Sequence, residues 1–235
     1  ILSEKIMESS RSLEDYQKNL EAATTKYEAL RQEKAIENPS KHPLIIGIYK
    51  QLRMLRSHLE SELPIVFRKH DIFKRLSQKN LLILEGETGS GKSTQLPQLL
   101  LEFFGMFLNE SVKPIIITQP RALATRTLAE RIAFELGESV KGFVDYSTSS
   151  GSKVNPRSRI VVKLDRLLLD ELELDPLLNA YSCLILDEAH ERTLSIDVIL
   201  GLVSNILKNR KDFKVVVTSA TLNAELFEHY FSSKT

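Results

Sequence analysis

Between residues 81 and 218 short apolar runs take turns with longer amphipathic stretches, and this alternation limits the fold more than any other feature of the chain. The runs cover residues 81–84, 114–118, 159–162, 182–186 and 213–218. Helical patterns cover residues 94–104, 122–136 and 196–207. Strands alternating with helices build βαβ units, whose parallel sheet is covered by helices on both faces. The runs are apolar almost throughout, without a polar residue at every second position, as strands buried on two sides require. Residues 147–158, rich in Ser and Gly, read as a flexible loop.

The first of these strands runs into Gly86-Glu87-Thr88-Gly89-Ser90-Gly91-Lys92-Ser93-Thr94, which fits G-x-x-x-x-G-K-[ST] and opens a helical stretch. That strand–loop–helix setting is what a phosphate-binding loop needs. Glycines let backbone N–H groups close around phosphate oxygens at a helix N-terminus. Lys92 then reaches the β- and γ-phosphates, and the Ser93 hydroxyl completes a magnesium shell. The strand of residues 182–186 ends in Asp187-Glu188-Ala189-His190. Its carboxylates fall at the carboxyl edge of a parallel sheet, where ligands bind. Asp187 is expected to hold Mg2+ and Glu188 to deprotonate an attacking water. The expected ligands of these two motifs are the phosphates of a nucleotide and Mg2+.

Charge is nearly balanced, with 32 basic and 31 acidic residues. Residues 41–80 hold a local excess of six positive charges. Their aromatics, Phe67 and Phe73, sit at core-like helical positions, so a solvated basic helix face is expected there, not a base-stacking surface. Cys183 has no second cysteine to pair with, which fits a reducing, intracellular setting, nuclear or cytoplasmic. No apolar run approaches the roughly 20 residues of a membrane span, and no membrane association is expected. The chain starts at Ile1, without a signal peptide, and reads as a piece of a longer protein.

Residues 1–37 carry apolar residues at heptad spacing: Ile6, Leu13, Leu20 and Tyr27, with Leu2, Tyr16, Ala23 and Leu30 as partners. Two readings stand. The helix is a coiled coil that self-associates or recruits a protein partner, or it is one helix lying on the rest of the protein. Residues 38–43 read as a linker. A helix over 44–62 follows, with Ile48, Leu52, Leu55 and Leu59 on one face, and another over 66–77 buries Phe67, Ile72, Phe73 and Leu76.

Taken together the motifs resemble the DEAH-box helicases of helicase superfamily two. Asp187-Glu188-Ala189-His190 spells the family's motif and Glu191-Arg192-Thr193 continues it. Ser219-Ala220-Thr221 is similar to its S-A-T, Thr118-Gln119-Pro120-Arg121 to its T-Q-P-R, and Leu63-Pro64-Ile65 to its L-P-I. The resemblance implies a RecA-like P-loop NTPase domain over residues 63–235, preceded by an α-helical extension. It implies ATP hydrolysis coupled to movement along single-stranded RNA, bound without sequence preference. It also implies roles: His190, Ser219 and Thr221 couple nucleotide state to domain movement, Arg131 stacks on the adenine, and Arg121 contacts RNA. The chain departs from the family at Ala122, where a second arginine is usual, at Gly142-Phe143-Val144-Asp145, and at Leu164-Asp165-Arg166, where the family has T-D-G. There Arg166 is left to meet RNA through charge. The family places arginine fingers on a second RecA-like domain, so the isolated chain is expected to bind Mg-ATP and hydrolyse it slowly. A rival reading is an ATP-binding scaffold that assembles partners through its N-terminal helix.

Overall fold

The structure is a computed structural model that describes residues 2–32, 43–59, 62–106, 109, 111–137, 142–149, 151–152, 155 and 157–220. Its elements in chain order are α1 (Leu2–Gln32), α2 (Pro43–Leu59), α3 (Pro64–Phe67), α4 (Lys69–Gln78), β1 (Leu81–Glu85), α5 (Lys92–Phe103), β2 (Ile115–Gln119) and α6 (Ala122–Leu136). There follow β3 (Val144–Thr148), β4 (Gly151–Ser152), β5 (Ile160–Leu164), α7 (Asp165–Leu174), β6 (Cys183–Leu186), α8 (Leu194–Asn209) and β7 (Lys214–Ser219). A 3-10 turn over Ala189–Glu191 precedes α8.

The strands form one sheet in the order β1-β7-β6-β2-β5-β3-β4, parallel except where β4 runs back along β3. Successive side chains on a strand point to opposite faces, and the buried residues divide accordingly. Ile115, Ile117, Ile160, Val162, Ile185 and Val216 join a core with α5 and α6. Ile116, Val161, Leu184, Leu186, Val215 and Val217 join a second core with α7 and α8. The expected α/β sheet with helices on both faces is thus observed.

Three local expectations are corrected. Residues 147–148 and 151–152 are strand, not loop. Val144-Asp145-Tyr146-Ser147-Thr148 lacks an apolar run, yet Asp145 is buried because its Oδ2 accepts from Ser158 Oγ (2.6 Å) and the Asn155 N–H. The helix expected over 66–77 is two helices that break at Arg68, the first opened by Pro64 at a position where a missing N–H costs nothing. Its buried apolar residues are Ile65, Val66, Ile72 and Leu76, while Phe67 and Phe73 are half-buried. Helix α7, with Leu168 and Leu172 buried one turn apart, was hidden by its start inside Leu164-Asp165-Arg166. The helix expected over 44–62 spans Pro43–Leu59; the rest of the 38–43 linker lies outside the described residues.

The N-terminal helix is not a separate arm over its described side chains. Ala23 is buried in the first core, and Leu20, Tyr27 and Leu30 pack against it. This stretch of the heptad seam is spent within the chain, against α2 and α3. The basic stretch is also less solvated than its composition implies. Lys69 is 1% exposed and meets Glu102 on α5 (2.7 Å) and Asp15 on α1 (3.0 Å), while Asn19 of α1 reaches the same Glu102 (3.3 Å). Burial raises the Glu102 carboxyl above the usual carboxylate range, against the pull of Lys69. Lys69→Ala leaves that carboxylate without its counter-charge and is expected to cost about 3 kcal/mol in urea denaturation at neutral pH. The deficit should shrink as pH falls through the raised Glu102 value, because a protonated carboxyl needs no counter-charge. A loss that does not change with pH would detach the effect from Glu102.

Candidate functional site

Strand β1 delivers the chain to the Gly86–Thr94 loop at the carboxyl edge of the sheet. Gly86 N–H donates to the Ser219 carbonyl at the end of β7 (3.2 Å), so the loop starts as a continuation of strand pairing. Gly89 and Gly91 have φ of 84° and 91°, a region that favours glycine. Gly91 is also crowded: a Cβ there would stand 3.0 Å from Ile65 Cγ2 and 3.2 Å from Leu63 Cδ1. Ile65 N–H donates to the Ser90 carbonyl (3.2 Å). The Leu63-Pro64-Ile65 segment therefore buttresses the loop from behind. Lys92 is buried, and its Nζ donates to the Gly86 carbonyl, the Glu87 carbonyl (2.8 Å) and Ser90 Oγ (3.3 Å), which aims the ammonium into the loop. No side chain caps α5, whose N-cap is Gly91, so its first-turn N–H groups face the loop as an anion site would need.

Asp187 follows β6 and is fully buried. The sheet pairs Leu186 with Thr118 of β2 and with Val217 of β7, and the next residue on each strand supplies a donor. Gln119 Nε2 donates to Oδ2 and Thr218 Oγ1 to Oδ1. Glu188 then turns sharply, with φ 53° and ψ 37°, a strained choice for a non-glycine residue. Burial pushes its carboxyl above the ordinary range and Asp187 adds to this, while His190 and Lys92 pull it back. His190 Nδ1 lies 3.4 Å from Glu188 Oε2 and accepts from Ala220 N–H (3.3 Å), which joins the acidic turn to the end of β7. Ser219 is buried beside it. Thr221 lies outside the described residues.

A cleft of about 350 Å3 runs between these parts, with Ser93, Thr94, Gln119, Thr127, Arg131 and Glu188 among its walls. The phosphate-loop helix, the acidic turn and Arg131 of α6 thus converge on one space, although they are far apart in sequence. Arg121 and Arg166 lie elsewhere, each two residues beyond the paired strand ends Gln119 and Leu164. Arg121 is exposed and pairs with Glu191 (3.1 Å); Arg166 is exposed. Between them Asp165 is buried and accepts from Thr193 Oγ1 (2.6 Å), the hydroxyl that also caps α8. The retained Asp of the departed T-D-G position therefore fixes the Glu191-Arg192-Thr193 turn.

A pattern describing DEAD/DEAH box helicases matches residues 68–229. The chain belongs to this helicase family. It is similar to proteins named ATP-dependent RNA helicase HrpA: 43% identical over 172 residues to that of Borreliella burgdorferi and 40% over 172 to that of Escherichia coli. It is 42% identical over 173 residues to an HrpA homologue of Haemophilus influenzae. Each match takes in 73% of this chain, and 20%, 13% and 13% of the respective relatives, so the chain spans a small part of their length.

Several residues that shape the helicase cleft were not singled out by sequence. Gln119 stands inside the T-Q-P-R motif without an assigned role, and Thr218 precedes S-A-T; only the sheet register reveals that both hold Asp187. Among the described residues no group of three or more His, Cys, Asp or Glu side chains gathers as a metal cage. The loop geometry predicts unequal costs for two superficially similar changes. Gly89→Ala meets no atom within 4 Å and should cost about 1–2 kcal/mol from backbone strain alone. Gly91→Ala adds tight contacts with side-chain carbons of Ile65 (3.0 Å), Gln95 (3.1 Å) and Leu63 (3.2 Å) and should cost more in chemical denaturation; equal losses would show that these side chains give way.

Proposed function

We propose that this chain is the ATP-binding motor domain of a DEAH-type RNA helicase. The observation that carries this reading is the convergence of Ser93, Glu188 and Arg131 on one cleft, beside a buried Asp187 whose two oxygens are fixed from both neighbouring strands. The relatives' printed names, ATP-dependent RNA helicases, support the same reading. Lys92 and the loop N–H groups hold the phosphate chain, in place of the carbonyls that Lys92 now contacts.

The donor set at the cleft suits Mg2+. Mg2+ takes hard oxygen ligands, commonly one or two from protein and the rest from phosphate and water. The Ser93 hydroxyl and the Asp187 carboxylate would hold it, and each Asp187 oxygen keeps a lone pair beyond its one accepted hydrogen bond. When bound, the ion neutralises charge on the β- and γ-phosphates. Glu188 takes the proton of the attacking water, the water oxygen bonds to the γ-phosphorus, and ADP leaves with the bridging oxygen. His190 and Ser219 couple the acidic turn to β7, and through the Gly86–Ser219 hydrogen bond to the phosphate loop. RNA passes along the edge that carries Arg121 and Arg166, held by charge. The scaffold reading gains no support from the N-terminal helix, whose Leu20, Ala23, Tyr27 and Leu30 are engaged by its own domain.

Two substitutions test the assignment. Lys92→Ala should weaken Mg-ATP binding measured by calorimetry. Glu188→Gln in the full-length protein should keep ATP binding and lower RNA-stimulated turnover by about 10²-fold or more. Unchanged turnover would remove Glu188 as the base. Because the base must be ionised, turnover should fall as pH drops through the raised Glu188 value, above the ordinary glutamate value of about 4.3.

A further inference from the structure

Arg131 borders two spaces. One is the cleft it shares with Ser93 and Glu188; the other is a cavity of about 1060 Å3 between α6 and the N-terminal helices, whose walls include Tyr27, Tyr49 and Arg53. Its side chain is 63% exposed. A long, exposed arginine samples many rotamers, and a planar guanidinium stacks on a base only when its plane is fixed.

Glu135, one turn further along α6, supplies that fixation. Its side chain is 9% exposed, and its Oε1 accepts from Arg131 Nε at 2.6 Å. A bond at Nε sets the rotation of the whole guanidinium and leaves its faces open. Glu135 is in turn held by α5: Oε2 accepts from Gln95 Nε2 (2.7 Å) and Gln98 Nε2 (2.5 Å), both buried glutamines. Gln95 lies two residues after Ser93 on the helix that the phosphate loop opens. From the other side Arg53 of α2 donates to the last carbonyls of α6, Nη2 to Phe134 O (3.3 Å) and Nε to Glu135 O (3.4 Å). Such a contact satisfies acceptors that a helix end leaves open.

We propose that Glu135 is a positioning residue for nucleotide recognition, holding the Arg131 guanidinium at the base end of the cleft and tying it to the phosphate-loop helix through Gln95 and Gln98. The ligand part concerned is the nucleobase, since the phosphate chain is met by other residues. This inference rests on the proposed reading of the cleft as the ATP site. Without Glu135, Arg131 is free to swing toward the larger cavity.

The test measures dissociation constants of the chain for two probes, Mg-ATP and Mg-tripolyphosphate, the second of which has no base. Arg131→Ala should weaken ATP by roughly two- to fivefold, the worth of one exposed cation–π contact, and leave tripolyphosphate unchanged. Glu135→Gln keeps the shape of the side chain and loses its charge; it should weaken ATP to a similar extent, again with tripolyphosphate unchanged. In the Arg131→Ala background Glu135→Gln should add nothing. Arg131→Lys, which keeps a charge for Glu135 and loses the plane, should behave as Arg131→Ala, and it tests the idea without disturbing the α5–α6 contact. Equal weakening of both probes by Glu135→Gln would assign Glu135 to the loop's architecture and overturn the inference. So would further weakening in the Arg131→Ala background, or no effect on ATP. If Lys92→Ala left both probes unchanged, the ATP-site reading itself would fall, and this inference with it.

Discussion

A carboxylate that is shut off from water must find partners or cost several kcal/mol, and Asp187 meets that demand through the sheet alone. Gln119 and Thr218 reach it because β2 and β7 flank β6 in parallel and in a register that sets both residues level with Asp187. A strand slipped by one residue would turn these donors to the opposite face and leave the charge buried without them. The order of the sheet and the chemistry of its carboxyl edge are thus one constraint. The turn that follows is held on both sides: Glu188, in the left-handed region, lies between the anchored Asp187 and the His190–Ala220 hydrogen bond.

The N-terminal helices show how an amphipathic pattern is allocated. A heptad stripe has no preference between a second copy of itself and any other apolar surface of suitable shape. In this chain α2, α3 and the first core provide such a surface at no cost in association entropy, and Leu20, Ala23, Tyr27 and Leu30 are used there. Polar groups then fix the alignment: Lys69 sits between Asp15 of α1 and Glu102 of α5. Burying a charge is costly unless it is paired, and Lys69, at 1% exposure, faces two carboxylates.

Reading the sequence was reliable where a single segment carries its own signal. The five apolar strands declare themselves through spacing, and so does the strand–loop–helix setting of Gly86–Thr94. Strand β3 does not, because Asp145 and Ser147 look exposed until Ser158 and Asn155 close over Asp145. The glutamate at 135 looks like any solvated helix residue. Its partners are 37 and 40 residues away on another helix, and periodicity within one segment holds no information about such a pairing. The same is true of Thr218, which meets Asp187 across 31 residues. What stayed illegible was long-range polar pairing; what was legible was local pattern.

On the proposed reading, the two ends of the cleft are built from different materials. The phosphate end is backbone: glycines in φ that other residues resist, a loop tied to β7 by Gly86 and pressed from behind by Leu63 and Ile65, and a buried lysine. The base end offers an exposed guanidinium whose orientation comes from side-chain hydrogen bonds that run through Glu135 to α5, while Arg53 of α2 bonds backbone carbonyls in the last turn of α6. Rigid, desolvated donors deliver more binding free energy than an exposed stacking contact. The phosphate chain therefore carries the larger share of nucleotide affinity, and the base end is where the N-terminal helices have physical leverage over the site.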